Sequence, residues 1–102
     1  ITRYEDMLNK PGKVFKAIAA YMGLKPPANV LRQAIKASSF DVVKKQEEKF
    51  GFVERRENAK SFFRAGKANQ WKTVLSEDQV KRVIEGNYEM MKEFGYLPLE
   101  YR

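Results

Sequence analysis

Phe62-Phe63-Arg64-Ala65-Gly66-Lys67-Ala68-Asn69-Gln70-Trp71-Lys72 is the stretch on which the reading of this chain turns. It closes a run, 51–70, in which apolar residues follow neither a helical nor a strand period. Arg64 offers a planar guanidinium that can take a phosphate through two hydrogen bonds. Gly66 lets backbone amides approach an anion closely. Lys67 and Lys72 add positive charge nearby, and the rings at 62, 63 and 71 suit packing of the loop or stacking on a base. Linkers rarely hold so many aromatics, so the run reads as an ordered loop, and a long ordered loop inside a domain is usually functional. A basic surface loop pinned by one tryptophan has the same composition, and the stretch by itself leaves both readings open.

Outward from the loop, helical signals dominate. Upstream, Phe40, Val43 and Phe50 across the run DVVKKQEEK predict a polar helix ending at Gly51. Val30, Leu31, Ala34 and Ile35 mark another, started after Pro26 and Pro27 and broken at Ser38 and Ser39. Val14, Ala17, Ile18, Tyr21 and Met22 mark a third, with Asn9 as its N-cap, Pro11 in its first turn and Gly23 closing it. Thr2 to Met7 reads as a strand end leading into a turn. Downstream, Ser76-Glu77-Asp78-Gln79 fits a capping box. Val80, Val83, Ile84, Tyr88 and Met91 then line one face of a helix that Gly95 and Pro98 terminate. The expected fold is mainly α, with four or so helices and one short N-terminal strand. No internal repeat or low-complexity segment is visible.

Composition narrows the classes. The chain has 102 residues, 43% hydrophobic and 13% aromatic, which fits a folded chain of one domain or part of one. Without cysteine a disulfide scaffold is excluded, and without histidine the commonest general base and the usual zinc ligands are missing. No apolar run approaches the roughly 20 residues that span a bilayer, and the first residues carry acids rather than the apolar core of a signal peptide. A start at Ile1 rather than methionine leads to the expectation of a processed or excised piece. The net charge is +7, with nine basic against four acidic residues between Lys44 and Lys72. That field favours an anionic partner, although a solvated basic face would look the same.

Two further segments carry chemistry-bearing side chains. Ser38-Ser39-Phe40 places two hydroxyls before an aromatic at a helix start. There the serines serve either as caps or, with the exposed amides of the helix N-terminus, as an anion seat. Arg3-Tyr4-Glu5-Asp6-Met7 pairs acids after an aromatic, which by itself says only that a helix follows.

Taken in order, RYEDMLNKPGKVFKAI (3–18), SSFDVV (38–43) and FFRAGKANQWK (62–72) resemble the C-terminal third of the cytosolic-type sulfotransferases that use 3′-phosphoadenosine 5′-phosphosulfate (PAPS). That family shows Tyr-Glu-Asp-Met or Tyr-Glu-Asp-Leu, a Pro-containing helix, Thr/Ser-Ser-Phe, and Phe-x-Arg-x-Gly-x-x-Gly-x-Trp-Lys before a long helix. The resemblance implies a parent α/β, P-loop-like fold with a parallel sheet, of which residues 1–102 form a C-terminal portion without an internal boundary. It implies that Tyr4 contacts the nucleotide and that Ser38, Ser39 and Phe40 line the adenine site, continued by Asp41, Val42 and Val43. It further implies that Phe62, Phe63, Arg64, Ala65 and Gly66 form the 3′-phosphate loop, with Arg64 as the principal charge. PAPS would be the co-substrate and no metal would be needed. The acceptor would be a small-molecule hydroxyl or amine, and the location cytoplasmic, with neither nucleic acid nor membrane as partner. No catalytic residue falls in this chain, because the family's phosphate-cradling loop and its base lie upstream, so the 102 residues alone are expected to be inactive.

Three positions depart from the family pattern. Ala65 stands where many members have lysine. Asn69 replaces the loop's second glycine, a substitution that left-handed backbone geometry tolerates better for asparagine than for most residues. Ser76, Glu77 and Lys81 occupy the later positions of the family's dimerisation motif, so that mode of pairing is not expected. A basic helical module binding nucleic acid, or a helical interaction module, explains the charge and the helices but not the irregular glycine-bearing loop.

Overall fold

Glu5 and Asp6 stand in the first turn of a helix, where negative charge meets the positive end of the helix dipole. Tyr4–Asn9 is accordingly helical (α1) rather than the strand end that the sequence suggested. Asn9 is the last residue of α1, and Lys10, not Asn9, takes the N-cap of the next helix, with Pro11 at its first position. The Lys10 N–H still donates to Asp6 O at 2.8 Å, so the two helices share one junction residue.

The computed structural model describes residues 1–102, contains no strand, and is mainly helical as expected. It divides into two compact units, 1–68 and 69–102. In the first, α2 (Pro11–Tyr21) packs on α1 and on α3 (Ala28–Ala37), and α3 packs on α4 (Phe40–Phe50). Gly23 closes α2 with φ 78°. Its N–H donates to Ala20 O at 3.0 Å, and Leu24 N–H donates to Ala19 O at 2.8 Å, the paired bonds that satisfy the last carbonyls of a helix. After α4 the backbone runs without helix or strand to the end of the unit.

The second unit opens with Asn69 at φ 63°, the left-handed geometry that the glycine of the family pattern would supply. A four-residue helix, α5 (Trp71–Val74), follows; nothing in the apolar spacing announced it. The capping box that opens α6 (Glu77–Glu93) is fully made: Ser76 Oγ accepts from Gln79 N–H at 3.3 Å, and Gln79 Oε1 accepts from Ser76 N–H at 2.9 Å. Asn87 interrupts α6 with φ −133°, and its amide donates to Val83 O at 2.8 Å. Of the expected apolar face, Ile84 is buried, Val80 and Met91 are half-buried, and Val83 and Tyr88 remain exposed. A short 3₁₀ turn, Leu99–Tyr101, ends the chain, with Leu97 buried before it.

The core is thin. Ile84, Leu97 and Glu47 are the buried residues, while Tyr21, Met22, Phe50 and Val53 are well exposed. The chain presents 9143 Å² to solvent, against about 5,900 Å² for a self-contained protein of this mass, and about 7,100 Å² for two separate compact bodies of these sizes. No helix is long and apolar enough to cross a membrane.

Candidate functional site

Ser39 occupies the N-cap of α4 in extended geometry, but its hydroxyl makes no bond to the helix. The first internal bond runs from Val43 N–H to Ser39 O at 3.0 Å. The amides of Phe40, Asp41 and Val42 precede it and lack an intrahelical acceptor, as the opening amides of any helix do. Ser38 sits one residue earlier, exposed, with its N–H donated to Ala34 O at 3.0 Å.

Gly66 lies directly on the Phe40 ring. It has φ 59°, and a Cβ built there would overlap the ring, standing 2.9 Å from Cε2 and nearer still to Cδ2 and Cγ. Phe63 meets Phe40 edge-on, with ring centroids 6.4 Å apart. Phe52 completes the cluster, 5.0 Å from Phe63 and 4.8 Å from Phe62. The rings at 62 and 63 therefore pack the loop together. Arg64 is exposed and its guanidinium enters no ion pair, while its carbonyl accepts from Lys44 Nζ at 3.2 Å. Ala65 and Val43 are half-buried.

The fold thus lays Phe62–Gly66 along α4, so that Gly66 and Phe63 meet Phe40 at its N-terminal end, beside Ser38 and Ser39, while Phe62 lies two turns further on at Glu47. Tyr4 is not among the joined rings; it is exposed on α1.

Glu47 was not among the residues singled out from sequence. It is only 4% exposed, and its carboxylate accepts from Phe62 N–H at 2.6 Å and from Phe63 N–H at 2.9 Å. Arg55 stands 4.0 Å from the same carboxylate and donates to Lys60 O at 3.4 Å. Lys44, Glu47, Glu48, Gly51, Arg55, Lys60 and Ser61 line an open hollow of about 340 Å³ on this side of α4. The available signal was spacing. Glu47 follows Phe40 by seven residues and Lys44 by three, which puts an acid on the stripe that faces the loop.

Burial pushes the Glu47 carboxyl upward, but the Phe62 and Phe63 amides and the charges of Arg55 and Lys44 outweigh it and hold the group below its ordinary value. A carboxylate depressed in the fold contributes stability that is fully present above its unfolded pKa, near 4.3, and lost as pH falls through the folded value. Acidification should therefore destabilise the wild-type chain more than Glu47→Gln, which has no such proton to take up. Thermal melts from neutral pH to about pH 3 test this; curves that fall in parallel would contradict it.

Comparison with known proteins adds a second line. A family model described as "Sulfotransferase domain" matches residues 1–95, a span that crosses the division between the two units. Cytosolic sulfotransferase 17 of Arabidopsis thaliana is similar, 28% identical over 105 aligned positions that cover 93% of this chain. The chain spans 30% of that relative's length. No solved structure matches significantly.

Proposed function

This chain belongs to the sulfotransferase domain family, and from that premise we propose that it supplies the adenosine and 3′-phosphate half of a PAPS site in a larger sulfotransferase. The observation that carries the reading is the meeting of Gly66 with Phe40. It joins, at one helix end, the two segments that the family resemblance assigns to the nucleotide. The residues fit such a ligand. Ser39 leaves its hydroxyl uncommitted to the helix, and the α4 N-terminus presents amides and a positive dipole end to an anion. Arg64 is exposed, unpaired and one loop residue away from Gly66's neighbour, suited to a doubly charged phosphate.

In this reading Arg64 and the α4 amides hold the donor by its 3′-phosphate, and Phe40 flanks the adenine. Ser38, Ser39, Val43, Phe62, Phe63, Ala65 and Gly66 shape the seat, and Tyr4 reaches the nucleotide from α1. Held so, the sulfuryl group transfers in line to an acceptor hydroxyl or amine. The bond from sulfur to the 5′-phosphate oxygen breaks, the acceptor loses its proton to a base outside this chain, and 3′-phosphoadenosine 5′-phosphate leaves. Positioning and charge neutralisation supply most of the rate in such a transfer. The large exposed surface of residues 1–102 supports their packing against further protein. The proposal includes the cytoplasm as the location, a small molecule as the acceptor, and residues 1–102 as one continuous part of a single domain.

Two measurements test it. The complete sulfotransferase carrying this chain should bind 3′-phosphoadenosine 5′-phosphate more tightly than adenosine 5′-phosphate, which lacks the 3′ group. The 102 residues alone should transfer no sulfuryl group, and measurable turnover by them would contradict the division of labour.

A further inference from the structure

Helix α4 holds the Phe62–Gly66 loop at three heights along one face. Phe40 takes Gly66 against its ring, Lys44 Nζ holds the Arg64 carbonyl at 3.2 Å, and the Glu47 carboxylate takes the amides of Phe62 and Phe63 at 2.6 and 2.9 Å. Positions 40, 44 and 47 follow the i, i+4, i+7 stripe of a helix. The loop therefore runs antiparallel to α4, anchored at these three points. Among these contacts the one at Glu47 binds most firmly, because a charged acceptor serves two backbone donors and is nearly sealed from water.

We propose that Glu47 is the positioning residue of the 3′-phosphate loop: its carboxylate fixes the backbone at 62 and 63, and so sets where Arg64 and Gly66 stand. The inference rests on the nucleotide reading above. The two carboxylate oxygens are both used, one by each amide. A glutamine at 47 keeps one acceptor and turns an NH₂ donor toward the other amide, so one of the two amides must move away. The Phe40 contact remains, and the loop pivots about Gly66 rather than detaching.

The test is calorimetry on the complete sulfotransferase carrying this chain, with wild type, Glu47→Gln and Glu47→Asp, titrated with 3′-phosphoadenosine 5′-phosphate and with adenosine 5′-phosphate. Wild type should prefer the first ligand. Glu47→Gln should lose about tenfold or more of that preference, the scale of one displaced charged hydrogen bond, with adenosine 5′-phosphate bound as before. Glu47→Asp keeps the charge and both oxygens one methylene further back, and should lose part of the preference. It serves as the decisive variant should the glutamine form fail to fold. A wild type without preference overturns the nucleotide reading and this inference with it. A wild type that prefers the 3′-phosphate, with variants that keep the same ratio, overturns the role of Glu47 alone. Equal weakening of both ligands reduces Glu47 to a general structural part and also overturns it.

Discussion

Gly66→Ala is expected to destabilise the 1–68 unit by about 2–5 kcal/mol, the sum of two separate penalties. The first is conformational: Gly66 sits at φ 59°, and a side chain there strains the backbone whatever space surrounds it. The second is steric: the added carbon would fall inside contact distance of three atoms of the Phe40 ring. That ring cannot simply swing away, because Phe63 packs edge-on against it and Lys44 stands 5.8 Å from its centroid. Chemical denaturation of both forms measures the loss. Gly12→Ala is the internal control, since Gly12 lies in α2 with nothing within 4 Å of the added carbon. That change should be neutral or stabilise slightly. A double change, Gly66→Ala with Phe40→Ala, should recover the steric part and leave the conformational part, so the two losses will not add. Equal effects at positions 12 and 66 would show that the loop does not rest on Phe40.

Arg64→Ala is expected to weaken binding of 3′-phosphoadenosine 5′-phosphate to the complete protein by about 1.5–3 kcal/mol, the range for hydrogen bonds to a charged group. Adenosine 5′-phosphate should bind with unchanged affinity, because the lost partner is the 3′ group. Folding stability should barely move: the guanidinium is exposed and in no ion pair, and only the backbone carbonyl of Arg64 takes part in holding the loop. Arg64→Lys should recover part of the affinity, since an ammonium keeps the charge but loses the paired geometry. Calorimetry showing equal affinity of wild type and Arg64→Ala would remove this residue from the site, and with it the principal charge of the proposed seat.

Helices α2, α3, α4 and α6 were legible because each carries a local signal that packing does not need to supply. Gly23, Gly51 and Gly95 end their helices in left-handed geometry where the sequence put the stops, and Ser76 with Gln79 closes the capping box. The N-terminal segment reads as a strand end because six residues are too few to show a period, and its acids suit the cap of a following helix as well as the first turn of their own, which is where they stand. Val83 and Tyr88 remain exposed for a related reason: spacing predicts a face but not what stands opposite it.

By itself, the sequence determined the helical class, the stops at Gly23, Gly51 and Gly95, the start at Ser76, the basic character and the family, because these depend on residues close together along the chain or on ordered motifs. Only the tertiary structure decided which residue holds the loop in place. Glu47 lies fifteen residues from Phe62 and sixteen from Phe63, and its partners are backbone amides, which every residue but proline possesses. No side-chain identity advertises such a bond, and it exists only once α4 and the loop have been brought side by side.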